Sequence, residues 1–193
     1  MYKKYGKRMW DIAMSAVGIA VLAPVMLLIA LAVKLDSPGP VIFVQKRVGI
    51  HKTYFNIYKF RTMRQDSPQD CPTHLMVNHG QWLTKVGGIL RRTSLDELPQ
   101  LFNIFMGHMS FVGPRPALWN QYDLIEERDK YGANDVVPGL TGWAQINGRD
   151  ELPIAEKARL DGEYVQKMSF LFDAMCSFRT VFYTLRQEGI EDL

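Results

Sequence analysis

Residues 12–33 read IAMSAVGIAVLAPVMLLIALAV, and how this stretch sits decides the fold of everything after it. It runs about 22 residues without a charge, so as a helix it reaches about 33 Å, enough to cross a hydrocarbon layer of about 30 Å. A buried helix of a soluble protein is seldom apolar all round. A cleaved signal peptide has a shorter apolar region and a small-residue cleavage site. Both fit less well than a membrane segment. Pro24 sits near the middle, where proline removes a backbone hydrogen bond and bends a helix. Lys3, Lys4, Lys7 and Arg8 crowd the first flank, as a solvated tail or as an attraction to anionic lipid, and Lys34 and then Lys46-Arg47 follow the second. The positive-inside rule puts both flanks in the cytoplasm. A straight span cannot satisfy both, whereas a helix broken at Pro24 that enters and leaves by one face can. The spanning helix stays the alternative, because the second flank is only mildly basic.

Working outward, Asp36-Ser-Pro-Gly-Pro40 is a turn cluster. Val41–Val48 and Thr53–Met63 read as strands joined through Gly49-Ile50-His51-Lys52. In the second strand Phe55, Ile57, Lys59 and Arg61 share a face by the two-residue period. Two cations ending an apolar face suit an anion held at a sheet rim, or an edge charged against aggregation. Residues 65–80 are polar and proline-bearing, a loop. Trp82, Leu83, Val86, Ile89 and Leu90 have helical spacing across Gly87-Gly88. Leu118–Tyr131, Ile154–Gln166 and Phe170–Arg186 read as helices. The last carries Leu171, Met175, Phe178, Phe182 and Leu185 along one stripe, for core packing or a membrane interface. The predicted architecture is α+β and mainly helical, with a short β-hairpin, an N-terminal re-entrant membrane helix and interfacial amphipathic helices. Residues 1–35 form the membrane segment and 36–193 one cytosolic domain.

The most informative polar stretch is RRTSLDELPQLFNIFMGHMSFVGPRP, residues 91–116. Adjacent carboxylates, Asp96 and Glu97, precede an apolar run and lie between Arg91-Arg92 and Arg115. Carboxylates beside a core with arginines on both sides point to a site that handles phosphate and a metal. The plainer reading is a helix cap: Ser94 or Asp96 as N-cap, with Pro99 arguing over the register. In PGLTGWAQINGR, residues 138–149, Asn147-Gly148 is a hairpin turn signal. Trp143 offers a flat face and Gln145 an amide, a pair suited to a nucleobase, though an ordinary core tryptophan fits the spacing as well.

Composition narrows the rest. Net charge is +3 and no aromatic-basic motif recurs, which argues against nucleic acid as a partner. Cys71 and Cys176 lie far apart and four histidines are scattered, giving neither a disulfide framework nor metal-ligand spacing.

The blocks SPGPVIFVQKRVG (37–49), FNIYKFRTM (55–63), 91–116 and 138–149, in order behind a basic, apolar, proline-bent N-terminus, resemble the small monotopic phosphoglycosyl transferases of the bacterial sugar transferase family. The family often has serine before that proline, where this chain has Ala23. The resemblance implies transfer of a phosphosugar from a UDP-sugar to undecaprenyl phosphate, with release of UMP, at the cytoplasmic face of the bacterial inner membrane. It implies a Mg²⁺ requirement and a ping-pong route. Asp96 matches the nucleophile that forms an acyl-phosphate, and Glu97 matches its partner; both are the expected metal ligands. Lys59, Arg61, Arg91, Arg115, Trp143, Gln145 and Arg149 are the expected substrate-binding residues. Inner-membrane lipids are expected partners, with homo-oligomerisation left open. The sugar is open too: an N-acetylated or deoxy amino sugar, galactose or glucose. The rivals are a membrane-attached adaptor without activity and a direct glycosyl transfer that releases UDP.

Overall fold

In the computed structural model, which describes residues 2–68, 79–148 and 152–186, the apolar stretch lies within a single helix, α1 (Lys7–Asp36). The helix is continuous through Pro24, so the expected break does not interrupt it. One missing hydrogen bond bends a helix more readily than it ends one when the flanking residues are strong apolar helix formers. Leu27, Leu28 and Leu35 are each about 70% exposed or more, while Met26, Ile29 and Val33 are buried. Only one stripe of α1 faces protein; the other faces outward and is apolar.

That stripe touches the rest of the chain along the whole helix. At its start, Lys7 forms a buried ion pair with Asp173 at 2.6 Å. Asp11 accepts hydrogen bonds from Ser110 Oγ and the Phe111 amide. In the middle, Gly18 lies against Leu101, where a Cβ would come within 3.3 Å. At its end, Met26, Ile29 and Val33 pack with Phe60 and Leu90.

The hairpin is as the two-residue period predicts. β1 (Ile42–Val48) pairs antiparallel with β2 (Tyr54–Phe60), Ile42 opposite Phe60 and Val48 opposite Tyr54. The turn between them, Ile50–Lys52, holds His51 and Lys52 at positive φ. α2 (Lys85–Arg92) runs through Gly87-Gly88, and Thr84 caps it by accepting from the Gly87 amide. Gly87 is needed there because a Cβ would sit 2.0 Å from the Thr62 carbonyl oxygen.

The capping predictions at Ser94 and Asp96 fail. Ser94 is left-handed (φ 56°, ψ 16°) and its side chain caps nothing; Leu95–Glu97 is a 3-10 turn. α3 (Gln100–Met106) begins only after Pro99. The predicted hairpin at Asn147-Gly148 is also absent: Gln145–Asn147 is a 3-10 turn. The strand before it, β4 (Gly139–Thr141), pairs in parallel with β3 (Ser110–Val112). Three-residue strands paired across a long loop leave no local periodicity to read. α4 (Tyr122–Asp129), α5 (Ile154–Lys167) and α6 (Phe170–Arg186) complete the chain. A buried ion pair, in which Arg128 Nε and Nη2 both donate to Asp161 Oδ2, locks α4 to α5. Along α6, Cys176 packs inward with Tyr164 and Val112, while Leu171 and Phe178 are more than 70% exposed. Of the predicted α6 stripe, Leu171, Phe178 and Phe182 are exposed and Met175 is partly buried against the core, so among the described residues it faces mainly outward.

Candidate active site

Four segments meet around the two carboxylates. Ile57 is buried, and the strand period turns Lys59 to the same face, two residues on. α3 is strapped to the edge of β2 by Asn103, which accepts from the Tyr58 amide at 3.0 Å and donates to the Asn56 carbonyl at 2.7 Å. Leu95 and Leu98 pack into the cluster of Phe60 and Leu90. These anchors hold the turn between them, Leu95–Glu97, over the end of β2. Arg91 arrives from the last turn of α2, its Nε donating to Thr62 Oγ1 at 2.9 Å. Arg115 follows β3 on a loop pressed against β4. There the Gly113 amide donates to the Thr141 carbonyl and the Gly139 amide to the Pro114 carbonyl. A Cβ on Gly142 would lie 2.1 Å from the Gly113 carbonyl oxygen, which is why the GLTG run is so rich in glycine.

The two acids meet different surroundings. Glu97 Oε1 accepts from Lys59 Nζ at 2.7 Å and lies 3.8 Å from Arg115. Burial alone would raise the Glu97 carboxyl; Lys59 and Arg115 outweigh it and hold the group below the ordinary carboxylate range. Asp96 is only 8% exposed and accepts no hydrogen bond from the described residues. Burial, helped by the Glu97 charge, pushes the Asp96 carboxyl up, while Lys59, Arg91 and Arg115 pull against it. Burial likewise lowers Arg91, and Asp96 opposes that shift. The result is one fixed, ionised carboxylate and one desolvated carboxylate with open lone pairs, framed by three cations. Among the described residues no cluster of three or more acids, histidines or cysteines is arranged for a metal. A metal here would rest on Asp96 and Glu97 and take its other ligands from phosphate and water, which suits Mg²⁺.

The remaining candidates divide. Arg61 is buried and turned away: it donates to the Ser37 and Pro38 carbonyls and to Ser37 Oγ, holding the exit of α1. It lies one residue past β2, where the strand alternation used to align it with Lys59 no longer applies. Trp143 packs under α5 and α6, its ring 5.1 Å from Phe172 and its Nε1 donating to Glu163. That is the packing expected of an ordinary core tryptophan. Gln145 donates to the Leu140 carbonyl, and its Oε1 is buried without a partner. Arg149 lies outside the described residues. The sequence reading missed Arg47, Gln100 and Asn103. Arg47 and Gln100 line a small chamber with Lys59, Glu97 and Arg115. The spacing of Gln45 and Arg47, two apart on one strand, was the available signal.

Residues 2–187 match the family described as bacterial sugar transferase. A UDP-glucose:undecaprenyl-phosphate glucose-1-phosphate transferase of Escherichia coli K12 is 45% identical over 184 residues, covering 91% of this chain and 39% of the relative. The exopolysaccharide production protein PSS of Rhizobium leguminosarum is 40% identical, covering 91% of this chain and 92% of its own length. A UDP-N-acetylgalactosamine-undecaprenyl-phosphate N-acetylgalactosaminephosphotransferase of Aeromonas hydrophila is 37% identical, covering 91% and 42%. The chain thus spans about two fifths of the relatives whose names state a substrate, and nearly all of the shorter one.

Proposed function

The chain belongs to the bacterial sugar transferase family, and from that premise we propose that it transfers a sugar 1-phosphate from a UDP-sugar to undecaprenyl phosphate, releasing UMP, in the membrane-committed step of a bacterial glycan pathway. The observation that carries this reading is Asp96: buried, free of hydrogen bonds from the described residues, and within the field of Lys59, Arg91 and Arg115. A carboxylate nucleophile must be desolvated yet ionised, and an anionic diphosphate must be neutralised before it can approach.

Asp96 attacks the sugar-proximal phosphorus. An O–P bond forms, the bond to the UMP oxygen breaks, and UMP departs with that electron pair. The phosphate of undecaprenyl phosphate then attacks the same phosphorus, and the carboxylate of Asp96 leaves. Glu97, kept ionised by Lys59 and Arg115, holds those two cations in place for the incoming lipid phosphate. Arg91 and Arg115 present forks that match phosphate oxygens as charge spreads over them. Asp96 and Glu97 would hold a Mg²⁺, which would supply charge neutralisation at the diphosphate.

The lipid substrate places this chemistry at a bilayer surface. α1 is long and apolar enough to cross a membrane, yet both of its ends are tied to the domain. This supports a helix that enters and leaves at the cytoplasmic face. Ile89, Phe102, Phe105, Leu171 and Phe178 are further exposed apolar side chains, fit to rest in the interface. Incubating the membrane-embedded protein with a panel of UDP-sugars tests the proposal. UMP release that requires undecaprenyl phosphate for multiple turnovers is expected. UDP as the leaving nucleotide would replace it with direct glycosyl transfer, and no nucleotide release with any sugar would remove it.

A further inference from the structure

Beside Glu97 lies a chamber of about 10 Å³, lined by Arg47, Lys59, Gln100, Arg115 and Pro116. It has room for one oxygen-sized atom and not for a ring or a whole phosphate group. Its charge is unbalanced: three cations face it against one carboxylate, whose Oε1 is engaged by Lys59 and lies 3.8 Å from Arg115. Arg47 is held in place by donating to the Pro116 carbonyl at 3.0 Å and to Gln45 Oε1 at 2.6 Å.

Gln100 says what the space is for. It is 2% exposed, and its buried Nε2 makes no well-formed hydrogen bond, although the side chain lies close enough to the Glu97 carboxylate to help lower it. An unmade buried donor is destabilising unless something completes it, and native proteins seldom tolerate one without a reason. A water wants acceptors as well as donors, and Glu97 is the one carboxylate on offer among the donors of Arg47, Lys59, Gln100 and Arg115. An anionic oxygen wants donors only, and the chamber walls are donors. Glu97 also adjoins the nucleophile in sequence, so the chamber lies next to the place where phosphate reacts.

We propose that Gln100 and Arg47 form a subsite for a single non-bridging oxygen of a substrate phosphate, with the Gln100 amide as the donor that completes it. This rests on the phosphate-transfer reading above. The phosphate has two sources, the nucleotide and the polyprenyl lipid, and binding distinguishes them. Full-length protein in nanodiscs is titrated with UMP, uridine and a short-chain polyprenyl phosphate, as wild type, Gln100→Leu and Gln100→Glu. Losing one donor to a charged acceptor is expected to weaken phosphate binding by on the order of tenfold to a hundredfold. Gln100→Glu, which adds an acceptor where an anion sits, is expected to do at least as much. Uridine binding should not change. Loss confined to UMP assigns the subsite to the nucleotide, loss confined to the lipid phosphate assigns it to the lipid, and loss of both means the two substrates use it in turn. Unchanged affinity for both phosphates in variants that unfold at the wild-type temperature overturns the proposal. Should both variants fail to fold, the Gln100 side-chain amide resonance of the wild type decides: it should move with UMP or the lipid phosphate and stay still with uridine, and no movement with either overturns it. Wild type that releases no UMP from any UDP-sugar would remove the transfer reaction while leaving these affinities to judge the subsite by themselves.

Discussion

At the scale of single residues, the two neighbouring acids are expected to separate by experiment. Without lipid, UDP-sugar should give one equivalent of UMP and a protein heavier by one sugar phosphate, labile to hydroxylamine as an acyl phosphate is. Asp96→Asn should form no adduct. Glu97→Gln should accumulate one and discharge it poorly onto undecaprenyl phosphate. Intact-protein mass spectrometry reads both, and an adduct on Asp96→Asn would remove it as nucleophile. Alanine at Arg91 or Arg115 should lower turnover by about 10²-fold, the scale for losing one transition-state donor. Stability carries a second signature of Asp96. Its folded carboxyl is raised, so the unfolded chain holds fewer protons in the window above the ordinary aspartate value. Stability therefore falls as pH rises through that window and stays reduced at neutral pH. Asp96→Asn should lack this fall and melt higher than wild type at pH 7; an equal or lower melting temperature would mean that burial of the charge is not what strains the site. Much of this site is legible in the sequence because Lys59, Arg91 and Arg115 flank the acids within recognisable motifs. Gln100 and Asn103 are not legible, because both look like ordinary helix residues until the strap to β2 turns them inward.

At the scale of elements, local periodicity succeeded, while local cap and turn signals and long-range pairing did not. The hairpin of β1 and β2 follows from alternation, and the helices from their apolar stripes. The β3–β4 pairing joins residues far apart, so nothing local announces it. The capping signal at Ser94 misled because tertiary packing of Leu95 and Leu98 overrides it and forces a left-handed residue instead. Arg61 is the case with the clearest consequence. Its guanidinium gathers the carbonyls at the exit of α1, a structural task. Arg61→Ala should lower stability by roughly 1.5–3 kcal/mol, the range for hydrogen bonds to a charged group. Lys59→Ala, which leaves the Glu97 carboxylate without its nearest partner, should lose far more turnover than its loss of stability explains. Thermal unfolding beside a UMP-release assay separates them; a catalytic defect in Arg61→Ala at unchanged melting temperature would restore Arg61 to the site.

At the scale of the whole molecule, the question is how a helix long enough to span a bilayer stays attached to its domain at both ends. Lys7 is buried against Asp173 in α6, and Tyr2 donates to the same carboxylate. Some thirty residues later Asp36 accepts from the Val86 amide and Lys34 reaches the Gly39 carbonyl. If α1 spanned the bilayer, one of these sets would be stranded on the far side, and a buried ion pair broken by losing one partner costs about 3–5 kcal/mol. Spanning would also draw Gly18 away from Leu101 and strip Ile19 and Leu22 from the clusters they cover. A helix held at both ends in this way would bring both basic flanks to the same anionic leaflet. Single cysteines in place of Lys3 and Ser37, with Cys71 replaced by serine and the buried Cys176 retained, test this in intact cells. A membrane-impermeant maleimide should label neither position until the membrane is opened, and both afterwards. Labelling of residue 3 from outside the cell, with residue 37 still protected, would establish a spanning α1 and require the Lys7–Asp173 pair to be absent in the membrane.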